Sequence, residues 1–170
     1  MPDQDDLYAG AAATYGAALG RLARAYEADS DRRRDLLQEI HVALWQSLAR
    51  FDGRCSLRTW VYRIAHNVAT SKVTRRRAHA PTLVGLEELD AMPDSSDPER
   101  TLDANRAVDR LLMLVQLLKP FDRQVMLLYL EGMDAASIGE VTGISAGNVA
   151  TKVHRIKAVL ARRFHERRTP

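Results

Sequence analysis

The strongest constraint on the fold is a helix–turn–helix pattern within residues 118–164. Its first helix is predicted at residues 135–142, and Gly143 after it supplies the backbone freedom that a sharp turn needs. Ser145 follows at a position where its hydroxyl can accept a hydrogen bond from a free backbone N–H and cap a second helix. The local sequence therefore predicts two helices joined by a sharp turn.

The second of these helices has one apolar face and one polar face. The apolar stripe repeats at helical spacing and consists of Val149, Val153, Ile156 and Leu160. The free face carries amide, hydroxyl and cationic side chains, among them Asn148, Thr151, Lys152 and Arg155. A short helix with these groups suits the major groove of DNA, so DNA binding is predicted. Helix–turn–helix pairs also occur as packing units, and the pattern by itself leaves that alternative open.

Charge is arranged in blocks along the chain. The net charge is +3 and the pI about 9.2, but cations cluster at residues 32–34, 75–77 and 152–168, whereas residues 83–103 are acidic. This layout favours two surfaces that contact anionic partners, joined by a segment that avoids or mimics those partners. An acidic linker that is simply soluble and flexible explains the acidic strip equally well.

Helical periodicity dominates the chain and strand patterns are nearly absent, which predicts an all-α protein. Prolines interrupt the periodicity at residues 80–98, which we predict to be a flexible acidic linker. We expect two small helical bundles, at residues 1–79 and 99–170, with the helix–turn–helix in the second. Helices before that motif are predicted at residues 14–28, 33–50, from 56 or 57 to about 75, 99–118 and 120–131.

Composition and motifs argue against several other classes of function. The single Cys55 excludes an intramolecular disulfide, and no histidine has ligand spacing with it, so no metal site is predicted. Neither a phosphate-binding glycine loop nor a pair of catalytic carboxylates is visible, so we expect no cofactor and no enzymatic activity. The acidic start and the lack of an apolar run of about 18 residues predict a soluble, cytoplasmic protein without membrane insertion. Whether Cys55 is redox-active or inert stays open.

Residues 51–77 combine the side chains that bind single-stranded nucleic acid. Aromatic residues alternate here with cations: Phe51, Trp60 and Tyr62 with Arg54, Arg58, Arg63 and Lys72. Aromatic rings stack on unpaired bases and cations follow phosphates. The alternative is that the aromatic rings are part of a core. Trp60 lies on the side of the predicted helix opposite Arg58 and Tyr62, so we expect Trp60 to be mainly structural.

Three strings in the chain resemble the extracytoplasmic-function group of bacterial RNA polymerase sigma factors. They are DLLQE at residues 35–39, FDGRCSLRTWVYRIAHN at residues 51–67 and GISAGNV at residues 143–149. They occur in order and at the usual spacing, and the likeness extends over about residues 14–163. The resemblance implies an initiation factor that binds core RNA polymerase, directs it to a subset of promoters and opens the DNA duplex. Many members of the group are held inactive by an anti-sigma factor, so the resemblance suggests such a partner as well.

The resemblance also implies roles for individual residues. Asp35, Leu36, Gln38 and Glu39 would bind core RNA polymerase. The residues that would melt promoter DNA and read the element nearest the start site are Phe51, Arg58, Tyr62, Arg63 and Asn67. The upstream element would be read by Asn148, Thr151, Lys152 and Arg155. The linker would thread toward the active-site cleft of the polymerase, where its acidity would mimic nucleic acid.

The helix–turn–helix departs from the common pattern of the group at two positions. Many relatives have a lysine where this chain has Ala150, so Asn148, Lys152 and Arg155 would carry more of the DNA contact. Gly139 stands in the first helix where such motifs usually have alanine, and helix propensity predicts a cost of up to about 1 kcal/mol there.

Two other functions fit parts of the pattern. A stand-alone helix–turn–helix regulator would bind duplex DNA without polymerase, and would need neither the DLLQE surface nor the aromatic segment. A structural or adaptor bundle would show no salt-dependent DNA affinity, whereas phosphate contacts make affinity fall steeply with salt.

Overall fold

The computed structural model describes residues 2–76, 85–91 and 104–165. Every regular element in these ranges is an α-helix, so the predicted all-α class is confirmed. In chain order the helices are α1 (Gln4–Tyr26), α2 (Ser30–Leu48), α3 (Leu57–Arg76), α4 (Leu86–Ala91), α5 (Ala104–Leu117), α6 (Pro120–Leu130), α7 (Ala135–Thr142) and α8 (Ala146–His165). Outside the described residues lie Arg77, residues 80–84 and 92–98 of the predicted linker, and residues 166–168 of the basic tail.

Helices α1–α3 form the N-terminal unit. Its interior consists of leucine, isoleucine, valine and alanine side chains from all three helices: Leu19, Leu22, Leu36, Ile40, Leu44, Val61 and Ala65. Helix α2 begins at an aspartate cap, because the side chain of Asp29 accepts a hydrogen bond from the amide of Arg32 at 2.9 Å. Leu36, Ile40 and Leu44 of this helix face the other two helices.

Helix α1 begins ten residues before the predicted start at residue 14. Asp3 caps it by accepting a hydrogen bond from the amide of Asp6 at 2.8 Å. The first turn is tied to α2, because Gln4 donates to the carbonyl of Trp45 at 2.7 Å and the Trp45 indole donates to Asp5 at 2.7 Å. These contacts join residues about 40 positions apart, and the local periodicity of this alanine-rich segment does not indicate them.

Helices α4–α8 form the C-terminal unit, and a buried arginine stabilises the turn between α5 and α6. Pro120 occupies the first turn of α6, as predicted. Arg123 is buried and donates to the carbonyl of Leu118 at 3.0 Å and to that of Gln116. These bonds satisfy carbonyls at the C-terminal end of α5, where no intrahelical partner exists.

Part of the segment predicted as a linker is the short helix α4. Leu89 is 2% exposed and lies in the hydrophobic core. Arg162 donates two hydrogen bonds of 2.9 Å to Asp90, and Arg163 donates to the carbonyl of Leu89 at 2.7 Å. The acidic residues around it suggested a solvated segment, but two leucines three positions apart are enough to place one helical turn against α8.

The two predicted bundles pack against each other. Helix α1 contacts α5, and α3 contacts both α6 and α7. One hydrophobic cluster contains residues of α1–α3 together with Leu127, Ile156 and Leu160. A second cluster joins Ala18 and Tyr62 of the N-terminal unit to the interior of the helix–turn–helix. The units therefore share their cores across the interface.

Candidate polymerase and nucleic-acid interfaces

The helix–turn–helix is built by local capping, as its sequence predicts. Asp134 caps α7 by accepting a hydrogen bond from the amide of Ser137 at 2.7 Å, and this bond lowers the pKa of its carboxyl group. Gly143 has φ of 83°, and its amide donates to the carbonyl of Gly139 at 2.7 Å. Ser145 accepts a hydrogen bond from the amide of Asn148 at 3.2 Å, which confirms the predicted cap of α8.

Gly139 is required by the turn and is more than a weak helix former. A Cβ atom at this position would lie 2.6 Å from the carbonyl oxygen of Ile144, which is a backbone atom. The expectation of a small propensity cost is therefore incomplete, because here the missing side chain lets the turn close against α7. Ile144 packs beside the buried Ile138 and Val141 in the same cluster.

The polar face of α8 is open to solvent. The four apolar residues predicted as its buried stripe are all buried. Asn148, Thr151 and Arg155 are exposed, and the Thr151 hydroxyl donates to the carbonyl of Gly147 in its own helix at 3.0 Å. Lys152 lies at the edge of this face and is half-buried; its ammonium group is 2.6 Å from the carboxylate of Asp122 and 5.4 Å from the ring centre of Phe121. We call Asn148, Thr151, Lys152 and Arg155 the reading face.

A groove of about 780 Å³ lies between α2 and α3. It contains three of the four residues assigned to polymerase binding, namely Asp35, Gln38 and Glu39, all exposed. The fourth, Leu36, is 2% exposed and belongs to the core, since its position faces the other helices of the unit. Val42 adds an apolar surface that is 51% exposed.

Polar contacts across this α2–α3 groove come from α3. Lys72 donates to Glu39 at 2.7 Å. Asn67, assigned from the sequence to promoter melting, is exposed and lines the same groove. The structure thus places Asn67 with the residues assigned to polymerase binding and apart from the other melting candidates.

Three other residues assigned to promoter melting are covered by the C-terminal unit. Tyr62 is 2% exposed, and its hydroxyl donates to the carboxylate of Glu131 at 3.5 Å. Arg58 donates to the carbonyl of Glu131 at 2.7 Å, and Arg63 donates to the carbonyl of Glu140 at 2.5 Å. We call Arg58, Tyr62 and Arg63 the melting face; the corner of α6 and α7 covers it.

The aromatic pair at the start of α3 is structural. Phe51 is half-buried and packs edge-to-face on Trp60, with ring centres 5.3 Å apart. The Trp60 indole donates to the hydroxyl of Ser47 at 3.0 Å. The expectation that Trp60 is mainly structural is confirmed.

No local sequence pattern indicates which residues cover the melting face. Arg21 donates to both oxygens of the Glu131 carboxylate at 2.7 and 2.8 Å, and this pairing raises the pKa of Arg21. Burial raises the pKa of the Tyr62 hydroxyl, and the negative charge of Glu131 acts in the same direction. Arg21 and Glu131 are 110 positions apart, so no local pattern joins them.

Comparison with known proteins agrees with this arrangement of two units. The family profile "Sigma-70 region 2" matches residues 12–79, and the profile "Sigma-70, region 4" matches residues 109–160. The RNA polymerase sigma factor YlaC of Bacillus subtilis is 30% identical over 138 residues, which cover 79% of this chain and 79% of YlaC. The chain belongs to the extracytoplasmic-function group of RNA polymerase sigma factors.

Further relatives of this sigma factor agree. The ECF RNA polymerase sigma factor SigL of Mycobacterium tuberculosis is 28% identical over 144 residues, covering 82% of this chain and 78% of SigL. The sigma factor CnrH of Cupriavidus metallidurans is 29% identical over 160 residues, covering 88% and 82%. The structure of CnrH in complex with the cytosolic domain of CnrY aligns with a TM-score of 0.55 at 21% identity, covering 91% of this chain and 84% of that chain, and this likeness concerns the fold.

This sigma factor binds core RNA polymerase and directs promoter-specific initiation of DNA-templated transcription. The stand-alone regulator is not favoured, because both regions are present in one chain. Region 2 corresponds to α1–α3, and region 4 spans most of the stretch from α5 to α8.

One buried histidine of the sigma factor lies beneath the melting face. His66 is 1% exposed. Its Nδ1 is 3.0 Å from the Tyr26 hydroxyl, and its Nε2 has no hydrogen-bond partner among the described residues. Burial lowers the pKa of His66 to about 3, so the imidazole is neutral at physiological pH.

In the part of the chain that the structure describes, no group of three His, Cys, Asp or Glu side chains is placed to hold a metal ion. Cys55 is half-exposed in the loop before α3. Among the described helices, none combines the length and the apolar character that a bilayer span requires.

Proposed function

We propose that this sigma factor divides its work among three surfaces: the α2–α3 groove binds core RNA polymerase, the melting face opens promoter DNA, and the reading face binds the upstream element. The observation that carries this proposal is the separation of the three residue sets onto α2, α3 and α8. The corresponding domain bounds are residues 1–79 and 99–170, and the connection at residues 80–98 includes α4, which packs on α8. The melting face does not include the other two residues that the sequence assigned to melting, because Asn67 lines the α2–α3 groove and Phe51 packs on Trp60.

The α2–α3 groove suits a basic helical partner. Asp35 and Glu39 supply carboxylates beside the exposed apolar Val42, with Gln38 as an adaptable hydrogen-bonding group. Complementary charge steers such an encounter and fixes its register, while the apolar contact adds affinity. Leu36 supports this surface from the core.

The melting face suits unpaired bases. The ring of Tyr62 offers a stacking platform, and Arg58 and Arg63 offer forked donors for phosphates. Stacking tolerates any base, so sequence preference would come from hydrogen-bonding groups near the stacked base.

The reading face suits the major groove. Asn148 and Arg155 are exposed and have the amide and guanidinium groups that pair with adenine and guanine edges. Thr151 adds a small contact, and Lys152 adds a phosphate contact once it leaves Asp122.

The polymerase carries out the chemistry of this reaction, so we propose that the chain has no catalytic activity of its own and acts in the cytoplasm, where the polymerase works. A protein regulator is a further proposed partner. The structure that aligns with this chain is a complex between CnrH and CnrY, and we propose that a protein of the anti-sigma kind binds here too.

The decisive experiment is reconstituted transcription with sigma-free core polymerase on a genomic fragment library, with transcript starts sequenced. Discrete starts that share two spaced upstream elements are expected. In the same assay Glu39→Lys should abolish polymerase binding, because it places a cation in an acidic groove beside Lys72. Asp31→Lys, an equal charge change at an exposed site of α2 that does not line the groove, is the matched control. Equal loss in both variants would refute the groove assignment.

A further inference from the structure

A cavity of about 500 Å³ lies between helices α1, α3, α5 and α6. Two of these helices belong to the N-terminal unit and two to the C-terminal unit, so we call it the inter-unit cavity. Its volume falls within the range of about 300 to 1,000 Å³ that is typical of small-molecule sites. The cavity is therefore large enough to hold a small organic molecule.

The walls of the inter-unit cavity are mostly apolar. Four leucines line it, from three different helices: Leu22, Leu111, Leu112 and Leu127. Val108 and Leu130 also line it, and both are about half exposed, so they lie at its mouth. A ligand that is itself apolar would remove these surfaces from water, and the gain in free energy grows with the apolar area removed.

The two charged residues that line the cavity neutralise each other. Arg21 donates hydrogen bonds to both carboxylate oxygens of Glu131, at 2.7 and 2.8 Å. An anionic ligand would have to replace this carboxylate on Arg21, and a cationic ligand would have to replace the guanidinium group. Because an unpaired charge is costly to place in an apolar cavity, the site favours a neutral ligand.

His66 supplies a hydrogen-bonding group at this cavity. It is buried, it lines the cavity, and its Nδ1 is 3.0 Å from the Tyr26 hydroxyl. Its Nε2 has no hydrogen-bond partner among the described residues, and a buried polar atom without a partner is costly. In a neutral imidazole, Nε2 is a donor in one tautomer and an acceptor in the other. A hydroxyl group on the ligand can pair with both tautomers, because it can donate or accept.

We propose that the inter-unit cavity binds a neutral, mostly apolar small molecule with a hydroxyl group, whose apolar body lies among the leucines and whose hydroxyl pairs with Nε2 of His66. A molecule in this cavity contacts both units at once, since the walls come from both. By linkage, it therefore stabilises the folded chain. This ligand site is independent of the proposed function, and its test needs neither polymerase nor DNA.

The first test measures binding of 2-naphthol to the full chain by titration calorimetry. This probe is neutral and apolar and carries one hydroxyl group, whereas naphthalene lacks the hydroxyl and 2-naphthoate replaces it with an anionic carboxylate. We expect saturable binding of 2-naphthol with a Kd below about 1 mM. Naphthalene should bind about tenfold more weakly, because it leaves Nε2 of His66 unpaired. Binding of 2-naphthoate should be weaker than that of 2-naphthol, because its charge finds Arg21 already paired.

Val108→Trp tests the location of the site. Val108 is 52% exposed, so the larger indole can be placed at the mouth of the cavity without overpacking the core. The affinity for 2-naphthol should fall at least about tenfold, because the indole takes the space of the ligand. Met113→Trp is the matched control, since Met113 is 65% exposed on the same helix and is not among the residues that line the cavity. Its affinity should change less than about twofold.

His66→Phe tests the polar contact, because it keeps a ring and removes Nε2. In this variant 2-naphthol should bind no more tightly than naphthalene. Thermal denaturation adds a second measurement: 2-naphthol should raise Tm of the unmodified chain and of Met113→Trp, but not of Val108→Trp.

Weaker 2-naphthol binding in Val108→Trp than in Met113→Trp supports the site. The absence of saturable binding, or equal affinity in these two variants, overturns it. If naphthalene binds the unmodified chain as tightly as 2-naphthol, His66 does not pair with the ligand. If 2-naphthoate binds more tightly than 2-naphthol, the ligand is an anion and the proposed neutral class is wrong.

Discussion

The two surfaces proposed for nucleic acid differ in how the fold presents them. On α8, Asn148 and Arg155 are exposed, because the apolar stripe of the helix packs into the core and leaves the opposite face free. On α3, Tyr62 is buried and Arg58 and Arg63 are bonded to the other unit. The difference teaches that residue type and spacing predict which side chains can bind nucleic acid, whereas distant packing decides which of them are free.

The most direct test of this difference in burial is to truncate one residue on each surface. Tyr62→Ala should lower the free energy of unfolding by about 3 kcal/mol, because it leaves a cavity in a shared core. Asn148→Ala should change it by less than about 0.5 kcal/mol, as expected for an exposed side chain. Urea denaturation followed by circular dichroism measures both.

Tyr62→Phe is the matched control, since it keeps the ring and loses only the hydroxyl group, whose hydrogen bond to Glu131 is long at 3.5 Å. Its effect should stay below about 1 kcal/mol. If Tyr62→Ala also cost less than about 1 kcal/mol, the melting face would already be open in the free chain.

A second test changes the turn between α7 and α8, which presents the reading face. Gly139→Ala should lower the free energy of unfolding by about 2 kcal/mol, because the new Cβ meets the Ile144 carbonyl and the turn must shift. Gly147→Ala is the matched control: its Cβ meets nothing within 4 Å, so added helix propensity should stabilise the chain by up to about 1 kcal/mol. Thermal denaturation compares the two, and equal shifts would contradict the close approach.

The helix–turn–helix could be predicted well because its helix ends are set by contacts between residues close in sequence. The bounds of α7 are the predicted residues 135–142, because the Asp134 cap, the left-handed Gly143 and the Ser145 cap act over three or four residues. The buried stripe of α8 follows from helical spacing alone. The fold class and the helix–turn–helix could therefore be predicted from the sequence.

Other features depend on contacts that no local pattern contains. The first turn of α1 is tied to Trp45 of α2, and Tyr62 is buried against Glu131 and its neighbours, 69 positions away. Leu36 was assigned to a surface through its neighbours in DLLQE, although its own position on α2 faces the core. The sequence predicts which helices carry the candidate residues. The packing of segments distant in sequence decides which of those side chains are accessible.

Low pH should reduce the free energy of unfolding through His66, which is buried beneath the melting face. Burial lowers the pKa of His66 from 6.5 to about 3, so the unfolded chain binds this proton first as pH falls. The stability from His66 is fully present above pH 6.5 and is lost below it at about 1.4 kcal/mol per pH unit. Urea denaturation at pH 7.5 and 5.5 measures the loss. His66→Phe should remove this slope, and an unchanged slope in the variant would assign it to other groups.

The smallest expected effect concerns Lys152, the member of the reading face that forms an ion pair with Asp122. Asp122→Asn should release Lys152, since it removes the carboxylate 2.6 Å from the ammonium group, while the neighbouring Phe121 ring is kept. Affinity for a duplex carrying the mapped upstream element should rise by a few fold, and its salt dependence should steepen by about one unit of slope, as expected for one added phosphate contact. Asp122→Glu keeps the charge and should leave both values unchanged. If Asp122→Asn changed affinity without changing the salt slope, Lys152 would not be the residue released, and the reading face would consist of Asn148, Thr151 and Arg155 alone.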